Sequence, residues 1–280
     1  MSMFEGRLVI GDDTPTHEYE ALANRMAKGL IDRNFGEYPQ GCYAAAPAWD
    51  IVSIPLVPFD EIPDRIAHMT ETKTRLMDLV ESLDPLDQNG QGYCWYYSGT
   101  GSVMCLRMRN NQPNIRLSAH SGAWVIKGGR DQGGWGAQGL DFQRERGTMP
   151  VSLWPEKSMD GNQYNTDANW EAAKEFRPTE GFVDLAVPQY DRQLTVQQYL
   201  TCFLNRIPAI FDYNWWGHSV CGLWAYDYKP SLPKHDPNRY AATEILNSWG
   251  KTWGQNGRGV LKDSKAFPNS ACAPRATFGN

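Results

Sequence analysis

DQNGQGYCWYYSG, residues 87–99 of a 280-residue chain, sets a cysteine between two aromatic residues, directly behind a run of turn formers. Asn89-Gly90-Gln91-Gly92 is loop chemistry, because glycine and asparagine tolerate the backbone angles that turns require. The residues from Cys94 onward, CWYYSGTGSVMCLRM, can form a helix with the thiol in its first turn. A helix N-terminus carries partial positive charge and favours thiolate over thiol, which is where a nucleophilic cysteine belongs. Most free cysteines instead pack as small hydrophobes. That reading fits Cys42, Cys105, Cys202, Cys221 and Cys272; Cys105 lies three turns along the same helix, in the core.

A nucleophilic cysteine needs a base, and the base needs an orienting group. RIPAIFDYNWWGHSVCGLWAYDY (206–228) reads as a strand from Pro208 to Tyr213, a tight aromatic turn, and a second apolar strand opened by His218. ATEILNSWGKTWGQNGRGVL (242–261) reads as a strand ending at Asn247, followed by a loop rich in tryptophan and glycine. A lone histidine entering an apolar strand is ordinarily a satisfied core residue. The order Cys, His, Asn changes that weighting.

Composition narrows the remaining classes. Hydrophobic residues make up 41% and charged residues 21%, the composition of a folded domain rather than a disordered one. A net charge of −5 argues against nucleic acid as a partner, since phosphate binding needs a basic face. No apolar run is long enough to span a bilayer, so no membrane partner is expected. The start, MSMFEGRLVIGDD, has no basic segment followed by an apolar run; the expectation is no signal peptide and a cytoplasmic or virion-associated protein. The six cysteines form no CxxC pair, and His17, His68, His120, His218 and His235 are scattered, so neither metal nor organic cofactor is implied. Free thiols in a reducing compartment are the expectation.

Residues before Asp87 have a different character. Thr14-Pro15 reads as a helix start, and Leu22, Met26 and Leu30 recur at helical spacing, which predicts a helix over 15–33. IVSIPLVPFDEIP (51–63) reads as an extended, proline-broken strap. Leu76, Val80 and Leu83 predict a second helix over 72–83, stopped by Asp84-Pro85.

Four stretches together resemble the papain-like cysteine peptidases: QNGQGYCW, the Gly133-Gly134 stretch LSAHSGAWVIKGGRDQGGWGAQGLDFQRERGTMPVSLWP, GHSVCGLWAY and NSWGKTWGQNGRGVL. The resemblance covers about residues 86–280 and implies a two-lobed α+β fold. A helical lobe would carry Cys94, a β-barrel-like lobe His218 and Asn247, with the cleft between them. It implies Cys94 as nucleophile, His218 as base and then acid, Asn247 as the group orienting the imidazole, and Gln88 as an oxyanion donor. It also implies that Trp249 shields the imidazole and that Gly133-Gly134 line the substrate cleft. Tyr93 stands where the family usually has a small residue, so it is expected to narrow the cleft; Trp216 replaces an ordinary cleft wall. Gln91 occupies the family's usual disulfide position.

The implied activity is hydrolysis of a peptide bond through an acyl-enzyme, with a peptide or protein as substrate. Two rivals are a papain-like scaffold in a virus particle or other assembly, and a Cys–His amidase cleaving cell-wall material. Residues 1–85 do not resemble the family's inhibitory propeptide and are expected to pack on the 86–280 body as an extension, with docking to a larger assembly as a second role.

Overall fold

The computed structural model describes residues 3–20, 28–42 and 54–275. Its strands are β1 (Val9–Ile10), β2 (Phe182–Asp184), β3 (Ala209–Tyr213), β4 (His218–Ala225), β5 (Ala242–Leu246), β6 (Arg258–Lys262) and β7 (Ser270–Pro274). Its helices are α1 (Thr16–Glu20), α2 (Ile62–Glu71), α3 (Leu76–Leu79), α4 (Cys94–Arg109), α5 (Ala119–Ile126), α6 (Gly136–Arg146), α7 (Gly161–Tyr164), α8 (Asp167–Ala173) and α9 (Arg192–Leu204). This is the mixed α+β architecture expected from the sequence.

The seven strands form one sheet in the order β1-β6-β5-β4-β3-β7-β2. All neighbours are antiparallel except β1, which runs parallel to β6. The centre is β4, whose eight residues are all buried, as an unbroken apolar run covered on both faces must be. Ser219 and Cys221 meet Ser98 and Ser102 of α4 on one face. Phe211, which pairs with Val220, packs against Tyr199 and Phe203 of α9 on the other. Helix α4 is buried from Cys94 through Arg107, which explains its lack of a polar face.

The segment before Asp87 is woven into this body. Trp253 donates its indole N–H to the Tyr19 carbonyl at 3.0 Å, and Arg7 pairs with the buried Glu244. Val57 is buried, its N–H bonded to the Thr201 hydroxyl and its carbonyl to the Gln197 amide, both on α9.

The local reading of this segment needs correction. The described part of the first helix is only Thr16–Glu20; Leu22 and Met26 lie outside the described residues, and Leu30 is extended. The Thr14 hydroxyl accepts from the Gly11 N–H instead of capping a helix. The second helix shrinks to Leu76–Leu79, while Ile62–Glu71, a stretch begun by a supposed breaker, is helical. Pro63 sits in the first turn of α2, where proline loses no hydrogen bond.

Candidate active site

Cys94 is the first residue of α4, His218 the first of β4, and Asn247 follows the last residue of β5. A four-residue turn, Asn214 to Gly217, joins β3 to β4, with Gly217 at φ +62° and its N–H bonded to the Asn214 carbonyl. That turn delivers His218 beside α4. Ser219, the residue after His218, shares a hydroxyl–hydroxyl hydrogen bond of 2.9 Å with Ser98, one turn beyond Cys94 on α4. The backbone of Ser219, Gly29 and Trp95 favours the Cys94 thiolate electrostatically.

His218 Nε2 lies 2.7 Å from Asn247 Oδ1, which also accepts the Ser248 N–H at 2.8 Å. An oxygen that already accepts one N–H calls for a donor opposite, so Nε2 carries the imidazole proton and Nδ1 keeps its lone pair. Nδ1 is buried without a hydrogen-bond partner among the described residues. Trp249 lies over the ring at 4.5 Å between centroids, and Trp216 meets it edge-on at 4.9 Å. Both indoles are buried and keep water from the His218–Asn247 contact.

Gln88 is fully buried in the loop before α4. The Ser248 hydroxyl donates to its Oε1 at 2.5 Å, its Nε2 donates to the Gln91 carbonyl at 2.7 Å, and its backbone N–H bonds the Ser248 carbonyl. Tyr93 is buried as well, its hydroxyl on the Arg130 carbonyl and its ring edge against His120. In this form Tyr93 braces the loop carrying the thiol and does not line open space.

The groove between Gly133-Gly134 and Gly217 is filled by the chain's own residues 28–31. Ile31 N–H bonds the Gly134 carbonyl at 2.9 Å, Gly134 N–H bonds the Gly29 carbonyl at 2.9 Å, and Leu30 N–H bonds the Gly217 carbonyl at 3.2 Å. Gly29 runs so close to Gly92 that a Cβ would fall 1.9 Å from the Gly92 carbonyl oxygen. The Gly29 carbonyl of the strap is thus held by the Gly134 N–H.

This covering sets the electrostatics. Burial pushes the Cys94 thiol up to about 12, against the pull of the Ser219, Gly29 and Trp95 backbone. Burial lowers His218 to about 3; the Asn247 bond works against that shift and the Lys28 ammonium of the strap adds to it. Thiol and imidazole are thus both neutral near pH 7, and the helix-terminus effect is outweighed by desolvation. All six cysteines are unpaired, and Cys42, not Cys94, is the exposed one. Among the described residues no group of three or more His, Cys, Asp or Glu is arranged to hold a metal, and no helix is long and apolar enough to cross a membrane.

The strap is the feature that the sequence reading missed. Its signal was Gly29 inside a supposed helix, a residue that weakens such an assignment.

No family model and no curated protein matches the chain. Solved structures do. Xylellain, a cysteine protease from Xylella fastidiosa, aligns at a TM-score of 0.60 and 15% identity over 90% of this chain and 98% of its own. A digestive procathepsin L 3 from Tenebrio molitor larval midgut aligns at 0.53 and 15% identity, over 93% and 86%. SERA5E from Plasmodium falciparum aligns at 0.52 and 14% identity, over 72% and 93%. Identity is low across these alignments, yet they span most of each chain, and the chain has the fold of the papain-like cysteine proteases.

Proposed function

We propose that this protein is a thiol-dependent peptidase held in a latent form by residues 28–31. The observation that carries the reading is the His218–Asn247 contact at 2.7 Å, on a strand whose next residue, Ser219, bonds Ser98 one turn beyond Cys94 on α4. In the reaction, Nδ1 of His218 takes the Cys94 proton as the sulfur attacks a substrate carbonyl carbon. The tetrahedral oxyanion is met by Gln88 and the Cys94 N–H. His218 then protonates the leaving amine, and water, deprotonated by the same imidazole, releases the acid. Asn247 holds the imidazole, and Trp249 and Trp216 keep its surroundings dry. Gly133-Gly134 and Gly217 offer a substrate backbone the hydrogen bonds that the strap now takes.

Near neutral pH burial keeps both reacting groups neutral, and the strap holds the cleft with its Gly29 carbonyl engaged by the Gly134 N–H, so it occupies the cleft without being cut there. The test is a peptide-like electrophilic probe on the full chain and on a strap-destabilised variant, with Cys94→Ala as control. Labelling that is faster in the variant and absent in the control supports the reading; labelling that survives Cys94→Ala refutes it.

A further inference from the structure

Three strands beside the cleft carry a pattern that the chemistry at Cys94 does not use. In the β2-β7-β3 ladder, Asp184 pairs with Cys272, Cys272 with Ile210, and Ser270 with Asp212. Directly paired residues, and residues two apart on one strand, share a sheet face. Asp184, Cys272, Ile210, Ser270 and Asp212 therefore share one face. It is the face toward α4, because Asp212 pairs with Ser219, whose hydroxyl meets Ser98.

Both carboxylates are buried, Asp184 to 1% exposure and Asp212 to 3%. Asp212 Oδ2 accepts the Gly136 N–H at 3.0 Å and the Ser270 hydroxyl at 3.0 Å. Among the described residues its Oδ1 has no hydrogen-bond partner at normal distance, although the Ser219 hydroxyl lies near enough to favour the charged form. Asp184 is met by the strap. Both its oxygens receive Arg33 guanidinium N–H groups at 2.9 Å, and Oδ2 also takes the Gly41 N–H. Arg33 acts electrostatically on Asp212 as well. Leu30 and Tyr38 pack on the apolar lining of the same face, with Tyr38 against Trp135 at 5.0 Å.

A chain segment that follows the Gly134 edge thus delivers a cationic side chain to this face a few residues later. An acidic face emptied of that cation leaves buried charge uncompensated. The arrangement suits exchange of one guanidinium for another.

We propose that this face is the specificity pocket of the cleft and that the substrates are peptides carrying arginine, or less favourably lysine, at the residue it receives. Arg33 occupies the pocket as the strap's own stand-in. The inference rests on the peptidase reading for its substrate, while the cation site itself does not.

Two measurements on the full-length protein separate them. Arg33→Ala leaves room for a guanidinium, so ethylguanidinium at millimolar concentration raises its Tm and does not raise that of Arg33→Ala/Asp184→Asn. If Arg33→Ala folds only in the presence of ethylguanidinium, recovery of the folded protein on adding it, and not on adding urea, is the same readout. Peptidyl electrophile probes differing only in arginine against its neutral isostere citrulline, varied position by position, then label Cys94 of Gly29→Val/Arg33→Ala, in which the strap is released and the pocket vacated. Arginine at one position should be favoured by about 100-fold, the range seen when a site loses a charged hydrogen-bonding partner. Asp184→Asn or Asp212→Asn should collapse the ratio of arginine-probe to citrulline-probe labelling toward one. Equal rates for the two probes, or a preference that survives both Asn substitutions, overturn the pocket. Rescue by ethylguanidinium with no labelling by either probe overturns the peptidase reading and with it the substrate class, and leaves a cation site.

Discussion

Ser248 joins Gln88 to Asn247: its hydroxyl donates to Gln88 Oε1 at 2.5 Å, and its backbone N–H donates to Asn247 Oδ1 at 2.8 Å. One residue thus orients both the amide assigned to the oxyanion and the amide that holds the imidazole. With Oε1 held by Ser248, the Nε2 amide, which donates to the Gln91 carbonyl in this form, is the end that can donate to an oxyanion. Gln88→Ala should slow acylation of strap-released protein by roughly 100-fold, the scale for losing one oxyanion donor. Single-turnover acylation by a peptide ester reads this, and an unchanged rate removes Gln88 from the mechanism.

Asn247→Ala addresses the tautomer. Without Oδ1, the His218 Nε2–H loses its acceptor, and the proton is no longer confined to the nitrogen away from the thiol. A fall of about 100-fold in acylation is expected, within the range for general-base contributions. Asn247→Asp keeps the acceptor and should retain more activity than Asn247→Ala. Equal loss in both variants would count against an orienting role.

Acid should weaken the closed form. His218 is held down to about 3 and His120 to about 4, each chiefly by burial, against an ordinary value of 6.5. An opened or unfolded state binds these protons first, so stability is full above about pH 6.5 and is lost as pH falls toward 4 and then 3. Each histidine contributes at most about 1.4 kcal/mol per pH unit in that window. Cys94 acts at the other end: with its value raised from 9.0 to about 12, stability is lost as pH rises from 9 toward 12. Thermal unfolding across pH checks both limbs. If His218→Gln leaves the acid slope between pH 6 and 4 unchanged, His218 is not a source of it.

The body of the protein was legible because its signals are local and covalently ordered. Cys94 behind four turn residues, His218 opening an apolar strand, and Asn247 closing another all have a fixed relation to the elements they begin or end. The resemblance then brought them together. The strap was not legible for the opposite reason. Lys28 to Ile31 is extended only because Gly134, Gly217 and Gly92 lie against it, and those partners are 63 to 187 residues away. Apolar spacing at Leu22, Met26 and Leu30 cannot distinguish a helix from a segment shaped by such partners. Asp212 was similarly silent, since one aspartate in an apolar strand shows its role only when the register of three strands is known.

The closed form should be opened by a single methyl-bearing substitution in the strap. At Gly29, a Cβ would lie 1.9 Å from the Gly92 carbonyl oxygen and 2.2 Å from its carbon, both backbone atoms that have nowhere to move. Gly29→Val therefore forces residues 28–31 off the groove, and the three backbone hydrogen bonds to Gly134 and Gly217 are lost with it. At about 1 kcal/mol each, these bonds hold the strap down by about 3 kcal/mol, or roughly 100-fold in the closed-to-open ratio. Farther along the chain, the Arg33–Asp184 pair is untouched, so the fold and most of the N-terminal packing should survive, as circular dichroism would check. Brief alkylation with mass mapping gives the readout, with exposed Cys42 as internal standard. In the unaltered protein Cys42 should be modified and Cys94 spared. In Gly29→Val, Cys94 should be modified at least tenfold faster while Cys42 is unchanged. A folded Gly29→Val protein whose Cys94 stays as protected as before would mean that the strap is not what shields the thiol.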